Sequence, residues 1–250
     1  PLWSMGLLYD IAKEKFYRST FLPTLRLRLT YGFNGNSYNQ AAYLIASFNR
    51  NVLNGFQQAT IQNPPNPSLR WERVRNINLA LQFASKGDRI SGSVELFQKD
   101  GMDLIQEILL RPSTGFESYK GNAAAVRNRG MDVQLNTVNL KGSFGWSTVF
   151  LWSFLKDKVI SFSEEYPTQY LVSNSSAIDG PARYGLYIKE GNSLYGVYSY
   201  RSAALDEHGD PRGYLNGEVS KDYTGIIASN TIDNVIYHGS SRPTYFGSVR

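Results

Sequence analysis

The sequence predicts an all-β protein: part of an antiparallel transmembrane β-barrel, about six to seven strands of a larger barrel, with long extracellular loops. Three observations predict it. Apolar and polar residues alternate with period two in five stretches, the composition favours strands and turns, and short connections alternate with very long ones.

Taking the stretches in order, LRLRLTYGFNGN places Leu25, Leu27, Leu29 and Tyr31 on one side of an extended chain and Arg26, Arg28 and Thr30 on the other. VRNINLALQF sets Ile77, Leu79, Leu81 and Phe83 against Asn76, Asn78 and Gln82, and RISGSVELFQ sets Ile90, Val94 and Leu96 against Ser91, Ser93 and Glu95. MDVQLN sets Met131, Val133 and Leu135 against Asp132, Gln134 and Asn136, while in FGWSTVFLW the even positions Phe144, Trp146, Phe150 and Trp152 form an aromatic face. The end pieces PLWSMGLLYD and YFGSVR also read as strands, so the chain is expected to be a fragment of a longer polypeptide.

Of 250 residues, 42% are hydrophobic, 14% aromatic and only 19% charged, the profile of a β protein with much loop. The net charge of +5 comes from basic residues scattered among acidic ones, a pattern that does not point to nucleic acid. Cysteine is absent, which excludes disulfides, thiol nucleophiles and thiolate metal sites. No apolar run reaches the ~18 residues that a spanning helix needs. Barrel strands of ~10 alternating residues escape that criterion.

Alternation alone fits a soluble antiparallel sandwich equally well. The connections separate the two. Ala84–Arg89 and Asn139–Ser143 are tight, with Gly87 suited to a positive φ, and Ile11–Pro23 is moderately short. Between them run three long excursions expected to be strandless: Asn34–Arg70, Gly101–Asn128 and roughly Lys156–Pro243. In a meander, alternate connections lie at opposite rims, so all the long ones share one rim, as in outer-membrane barrels. Lipid then covers Leu25, Leu27 and Leu29 while Arg26 and Arg28 face a watery lumen, and Tyr31, Phe33, Phe144 and Trp146 fall where two aromatic girdles are expected.

The words at the loop boundaries narrow the choice further. PLWSMGLLYDIAKEKF, LRLRLTYGFNGN, NPPNPSLRWERVRNINLALQF, RISGSVELFQKDGMDLI, VRNRGMDVQL, LYGVYSY, LDEHGDP and RPTYFGSV occur in the order and strand context of the SusC/RagA family, and the chain resembles the carboxy-terminal part of such a TonB-dependent outer-membrane transporter. Arg201–Ala204 stand where the family more often has a compact glycine turn. The resemblance implies a Gram-negative outer-membrane location, a SusD-like lipoprotein partner, energy from TonB through an amino-terminal part not in this chain, and import of an oligosaccharide or a peptide. Residues 1–250 would be barrel wall and outer loops, without the plug domain or the terminal strands. A carbohydrate-binding sandwich and a passive porin or adhesin are the alternatives.

Individual residues have local readings. Gly32, Gly35 and Asn34–Asn36 suit a chain turning out of a strand, and Asn128–Gly130 a strand entry. His208 and His238 are too few for a metal site or a triad; Asp206, Glu207, His208 and Asp210 lack EF-hand spacing. Asp100 with Asp103 and Glu164 with Glu165 are not placed for acid–base work by adjacency alone. No catalytic, metal or cofactor residue is therefore assigned, and the chain is not expected to be an enzyme. Tyr38, Tyr43, Trp71, Tyr187, Tyr195 and Tyr198 are the candidates for substrate contact, because an aromatic face with a polar tip suits sugar rings and peptides.

Overall fold

A computed structural model describes residues 2–36, 45–116, 118–163, 167–176 and 188–250. In chain order the strands are β1 (Trp3–Asp10), β2 (Thr24–Asn36), β3 (Ile45–Arg50), β4 (Gln57–Asn63), β5 (Glu72–Ala84), β6 (Ile90–Leu109), β7 (Ser118–Leu140) and β8 (Trp146–Phe162). Helix α1 (Thr168–Ser176) follows, then β9 (Gly196–Tyr200), β10 (Gly213–Leu215), β11 (Glu218–Ser220), α2 (Tyr223–Ala228), β12 (Val235–Ser240) and β13 (Tyr245–Val249). Seven strands form one antiparallel sheet in the order β1-β2-β5-β6-β7-β8-β13, and β3-β4, β9-β12 and β10-β11 are two-stranded ribbons outside it.

The register carries the sequence alternation across the whole sheet. Leu29, Leu79, Leu96, Met131, Phe154 and Tyr245 are successive partners, and so are Leu27, Leu81, Val94, Val133, Trp152 and Gly247. Their side chains share one face, because directly opposed residues in an antiparallel pair point the same way. Among the described residues no second layer covers this face: Met5 is 61% exposed, Leu7 59% and Leu96 48%. The sandwich alternative requires such a layer.

Short turns and long excursions leave from opposite rims. The links β1–β2, β5–β6 and β7–β8 lie at one end, and the β2–β5, β6–β7 and β8–β13 connections at the other. Gly87 has φ 73° in the tight β5–β6 turn, where Ile90 N–H donates to Ser85 Oγ at 2.9 Å. Trp3, Tyr31 and Phe33 cluster at the long-loop end with ring centroids 5.5 to 5.6 Å apart. Trp146 and Phe144 lie exposed at the short-turn end, Phe144 just outside β8.

The excursions are not strandless. β6 continues to Leu109 and β7 begins at Ser118, so Gly101–Asn128 is the upper half of a tall hairpin; the first carries β3 and β4, and the third carries α1 and β9 to β12. Periodicity fails there because loop packs on the inward side and charged residues stand on the outward one. Ala124, Val126 and Val159 are buried against Ile188 of the outer loop, with Leu104 and Phe162 beside them. A bulge between Gly101 and Leu104, with Asp103 at φ 56°, also breaks the alternation of β6.

The glycines correct the turn assignments as well. Gly32 and Gly35 lie inside β2, where a Cβ on Gly32 would stand 2.8 Å from Trp3 O; they serve close approach rather than an exit turn. Asn128–Gly130 lies inside β7, not at its start, and the Phe97 ring of β6 rests over Gly130.

Candidate functional site: the polar wall and its loop cap

Opposite the apolar face, the same strands present a polar wall. Arg28, Ala80, Glu95, Asp132 and Ser153 are successive partners, and Arg26, Gln82, Ser93, Gln134 and Leu151 form the next row. Arg28 Nη2 stands 3.7 Å from Glu95 Oε1, Asn78 Nδ2 donates to the same oxygen, and Arg26 Nε donates to Asp10 at 3.3 Å. Ala80 is buried, between Arg28 and Glu95 in its row. Charge is nearly balanced, and amide and hydroxyl groups outnumber ions. Such a surface can exchange hydrogen bonds with a polar solute.

The wall is identified as the inward face by what folds onto it. At its upper end Asp157 accepts from Ser193 Oγ at 2.8 Å and from Leu194 N–H at 2.5 Å, so the 188–200 segment is fastened across this side of β8. The return to β5 is fixed similarly: Asn66 Nδ2 donates to Lys120 O at 2.8 Å, and Asn122 bonds both Arg70 N–H and Arg70 O.

Tyr195 and Tyr198 are brought together in this cap, and both are engaged in holding it. Tyr198 is buried, its ring 5.3 Å from that of Tyr237, and its Oη accepts from Asn192 Nδ2 at 3.1 Å. Burial raises the Tyr198 hydroxyl pKa above its ordinary value. The guanidinium of Arg242 lies 3.5 Å over the Tyr195 ring. Trp71 is elsewhere: its ring reaches over Gly35, whose absent Cβ belongs to the outward side with Phe33. Tyr38, Tyr43, Tyr184 and Tyr187, like Glu164 and Glu165, lie outside the described residues.

Sequence reasoning missed a cleft at the top of β8. Phe162, Leu171, Ile188 and Ile232 give it apolar walls, and Glu190 and Asn230 a polar rim. Glu190 accepts from Phe162 N–H and Asn230 from Thr168 N–H, both at 2.6 Å. These residues are scattered over 70 positions with no shared motif, so only folding joins them.

The acidic cluster is a braced turn. Asp206 accepts from His208 N–H and Asp210 N–H at 2.9 Å each and from Lys221 Nζ at 2.6 Å, and Asp210 accepts from Lys221 at 2.6 Å. Lys221 beside it holds the Asp206 carboxyl at about 2. Arg201–Ala204 form part of the same ladder, with Ala203 N–H donating to Arg212 O at 2.7 Å. His238 sits across the β9–β12 ribbon, 2.6 Å from Ser199 Oγ.

Residues 1–224 match the family described as TonB dependent receptor-like, beta-barrel. A TonB-dependent receptor of Formosa agariphila is 30% identical over 63% of this chain and 16% of its own length. TonB-dependent receptor SusC of Bacteroides thetaiotaomicron is 23% identical over 94% of this chain and 24% of its own. The chain spans 16 to 25% of the length of these and the other curated relatives it matches. In three dimensions it follows the RagAB peptide transporter with a TM-score of 0.75 over 99% of this chain and 26% of that one, at 19% identity, a likeness of fold. An uncovered apolar face, a polar wall and loops gathered at one rim agree with that match: the chain belongs to the TonB-dependent receptor β-barrel family and forms part of such a barrel.

Proposed function

We propose that this chain is wall and outer loops of a SusC/RagA-type importer in the outer membrane of a Gram-negative cell. The observation that carries the reading is a single sheet with two unlike faces: an apolar one on which no protein layer lies among the described residues, and a polar one capped by loops. Hydrocarbon against the first leaves every strand amide paired only if the sheet closes, and the second then lines a watery passage.

The cargo is an oligosaccharide. A wall of amides, hydroxyls and balanced charge offers many hydrogen bonds and no net field, which suits a neutral polyhydroxylated solute. A peptide is the second reading, favoured by the Arg28–Glu95 and Arg26–Asp10 pairs, which could meet its charged ends. A SusD-like lipoprotein closes the loop rim, and TonB supplies energy through a plug. No bond in the cargo is made or broken.

The test is uptake by cells carrying the full-length protein. Replacing Arg28 and Glu95 together by Gln and Ala is expected to lower transport several-fold without changing the amount of protein in the membrane. Unchanged uptake of every saccharide and peptide offered would remove the wall from the transport path.

A further inference from the structure

The outward face changes character abruptly above the apolar belt. Over Ile77, Leu96, Met131 and Phe154 the next outward positions are Arg75, Gln98, Arg129 and Lys156, and above the last three stand Asp100, Arg127 and Lys158. Arg129 is the register partner of Lys156 and Arg127 of Lys158, which makes a block of four cations, two on each strand. Like charges directly opposed across strands repel.

Part of that repulsion is answered within the protein. Asp100, 7% exposed in its side chain, accepts from Arg127 Nε at 2.6 Å and from Arg75 Nε at 3.1 Å, and Gln98 Oε1 accepts from Arg129 Nε at 2.8 Å. Higher up, Asp103 takes Arg70 at 2.9 Å and Arg73 at 2.6 Å. Lys156 and Lys158 are exposed, and among the described residues no carboxylate lies within ion-pair distance of either. Five cations thus face outward around one carboxylate, directly above a surface that needs hydrocarbon.

We propose that this block binds the phosphate groups of a glycolipid in the outer leaflet, whose acyl chains lie along Met131, Val133, Phe154 and Trp152 beneath it. Amphiphile and surface correspond in order: chains against the belt, anionic headgroup against Arg129, Lys156 and Lys158, with Arg127 held in place by Asp100. The guanidinium of Arg129 offers a planar donor pair to a phosphate, and the two ammonium groups add charge on flexible stems. The assignment rests on the membrane orientation proposed above. It adds a ligand to a side of the wall that transport itself does not use.

The full-length protein, purified from outer membranes, is expected to retain phosphorylated glycolipid, detected by mass spectrometry. Arg129→Gln with Lys156→Gln and Lys158→Gln should lower the retained amount on the order of a hundredfold, at about fivefold per cation. Lys156→Arg with Lys158→Arg should retain it. In vesicle flotation, bilayers containing the phosphorylated glycolipid should slow release of the protein by detergent relative to bilayers containing its dephosphorylated form, and inorganic phosphate at millimolar concentration should not abolish the difference.

Equal retention by the triple Gln variant, equal behaviour of phosphorylated and dephosphorylated lipid, or complete displacement by inorganic phosphate would each overturn the proposal while the protein still floats with vesicles. Failure to float with vesicles of any composition would instead overturn the membrane reading beneath it.

Discussion

The lower and upper halves of β7 are one continuous strand with two different grammars. Below Gly130, Met131, Val133 and Leu135 face outward and Asp132, Gln134 and Asn136 inward, and among the described residues no layer covers either side. Above it, Ala123, Ala124 and Val126 are all buried, and the outward neighbours are Arg127 and Arg129. The hydrogen-bond ladder continues through the change, with register shifts beside Val126 on both neighbouring strands. What differs is the medium: alternation records a strand set between two solvents, and it disappears where loop packs on one side and ions stand on the other.

The largest effect should come from breaking the lower grammar. Val94 lies mid-belt, between Leu81 and Val133, so Val94→Arg should cost about 2 to 4 kcal/mol of folding in a bilayer. The neighbouring Ser93→Arg, on the polar wall, should stay near wild type. Heat-modifiable gel mobility and urea titration in vesicles read both, and equal losses would mean that the two faces are not distinct.

A smaller effect is expected at the junction of the halves. Gly130→Val puts a side chain into the space occupied by the Phe97 ring and should cost roughly 1 to 3 kcal/mol by overpacking. Pairing it with Phe97→Ala should recover part of the loss. Additive losses in the double variant would show that the ring and the glycine are not coupled.

The smallest effect belongs to the loops alone. Asp206, held at about 2 against an ordinary 3.8, binds a proton less readily in the folded turn than in the unfolded chain. Its contribution is therefore present above pH 3.8 and fades as pH falls toward 2. Hydrogen exchange in 204–222 should quicken across that window in wild type, and in Lys221→Ala it should be faster above pH 3.8 and lose most of that pH dependence. The belt should be indifferent to both, and a matching change in β7 would contradict the separation of the two regions.

The sequence made the lower sheet legible because each strand there carries its own solvent record; β2, β5 and the lower parts of β6, β7 and β8 need no partner to be recognised. It could not show β7 beginning at Ser118, since SYKGNAAAVRN is packed on one side and charged on the other. Aromatic content pointed to the cap, but not to the use of Tyr198 and Tyr195 as its own packing against Tyr237 and Arg242. Trp71 was legible only as a candidate for substrate contact, while its side of the sheet depends on the register with Gly35. The block of Arg127, Arg129, Lys156 and Lys158 was hidden for the same reason: two cations on each of two separate segments become four neighbours only when the strands pair.

The ceiling of the apolar belt is not level with the rows of paired residues. It stands at Phe33 on β2, drops to Ile77 on β5, and lies at Leu96, Met131 and Phe154 on β6, β7 and β8. Four residues of descent are about 13 Å and four strand spacings about 19 Å, so a flat bilayer surface crosses these strands at an inclination of about 35°. That lean is the geometric signature of a cylinder rather than a plank, and it makes each strand's vertical position depend on its neighbours. Removing two residues from β5 alone would therefore not simply shorten it; it would tip Arg75 into oil or lift Phe83 out of it.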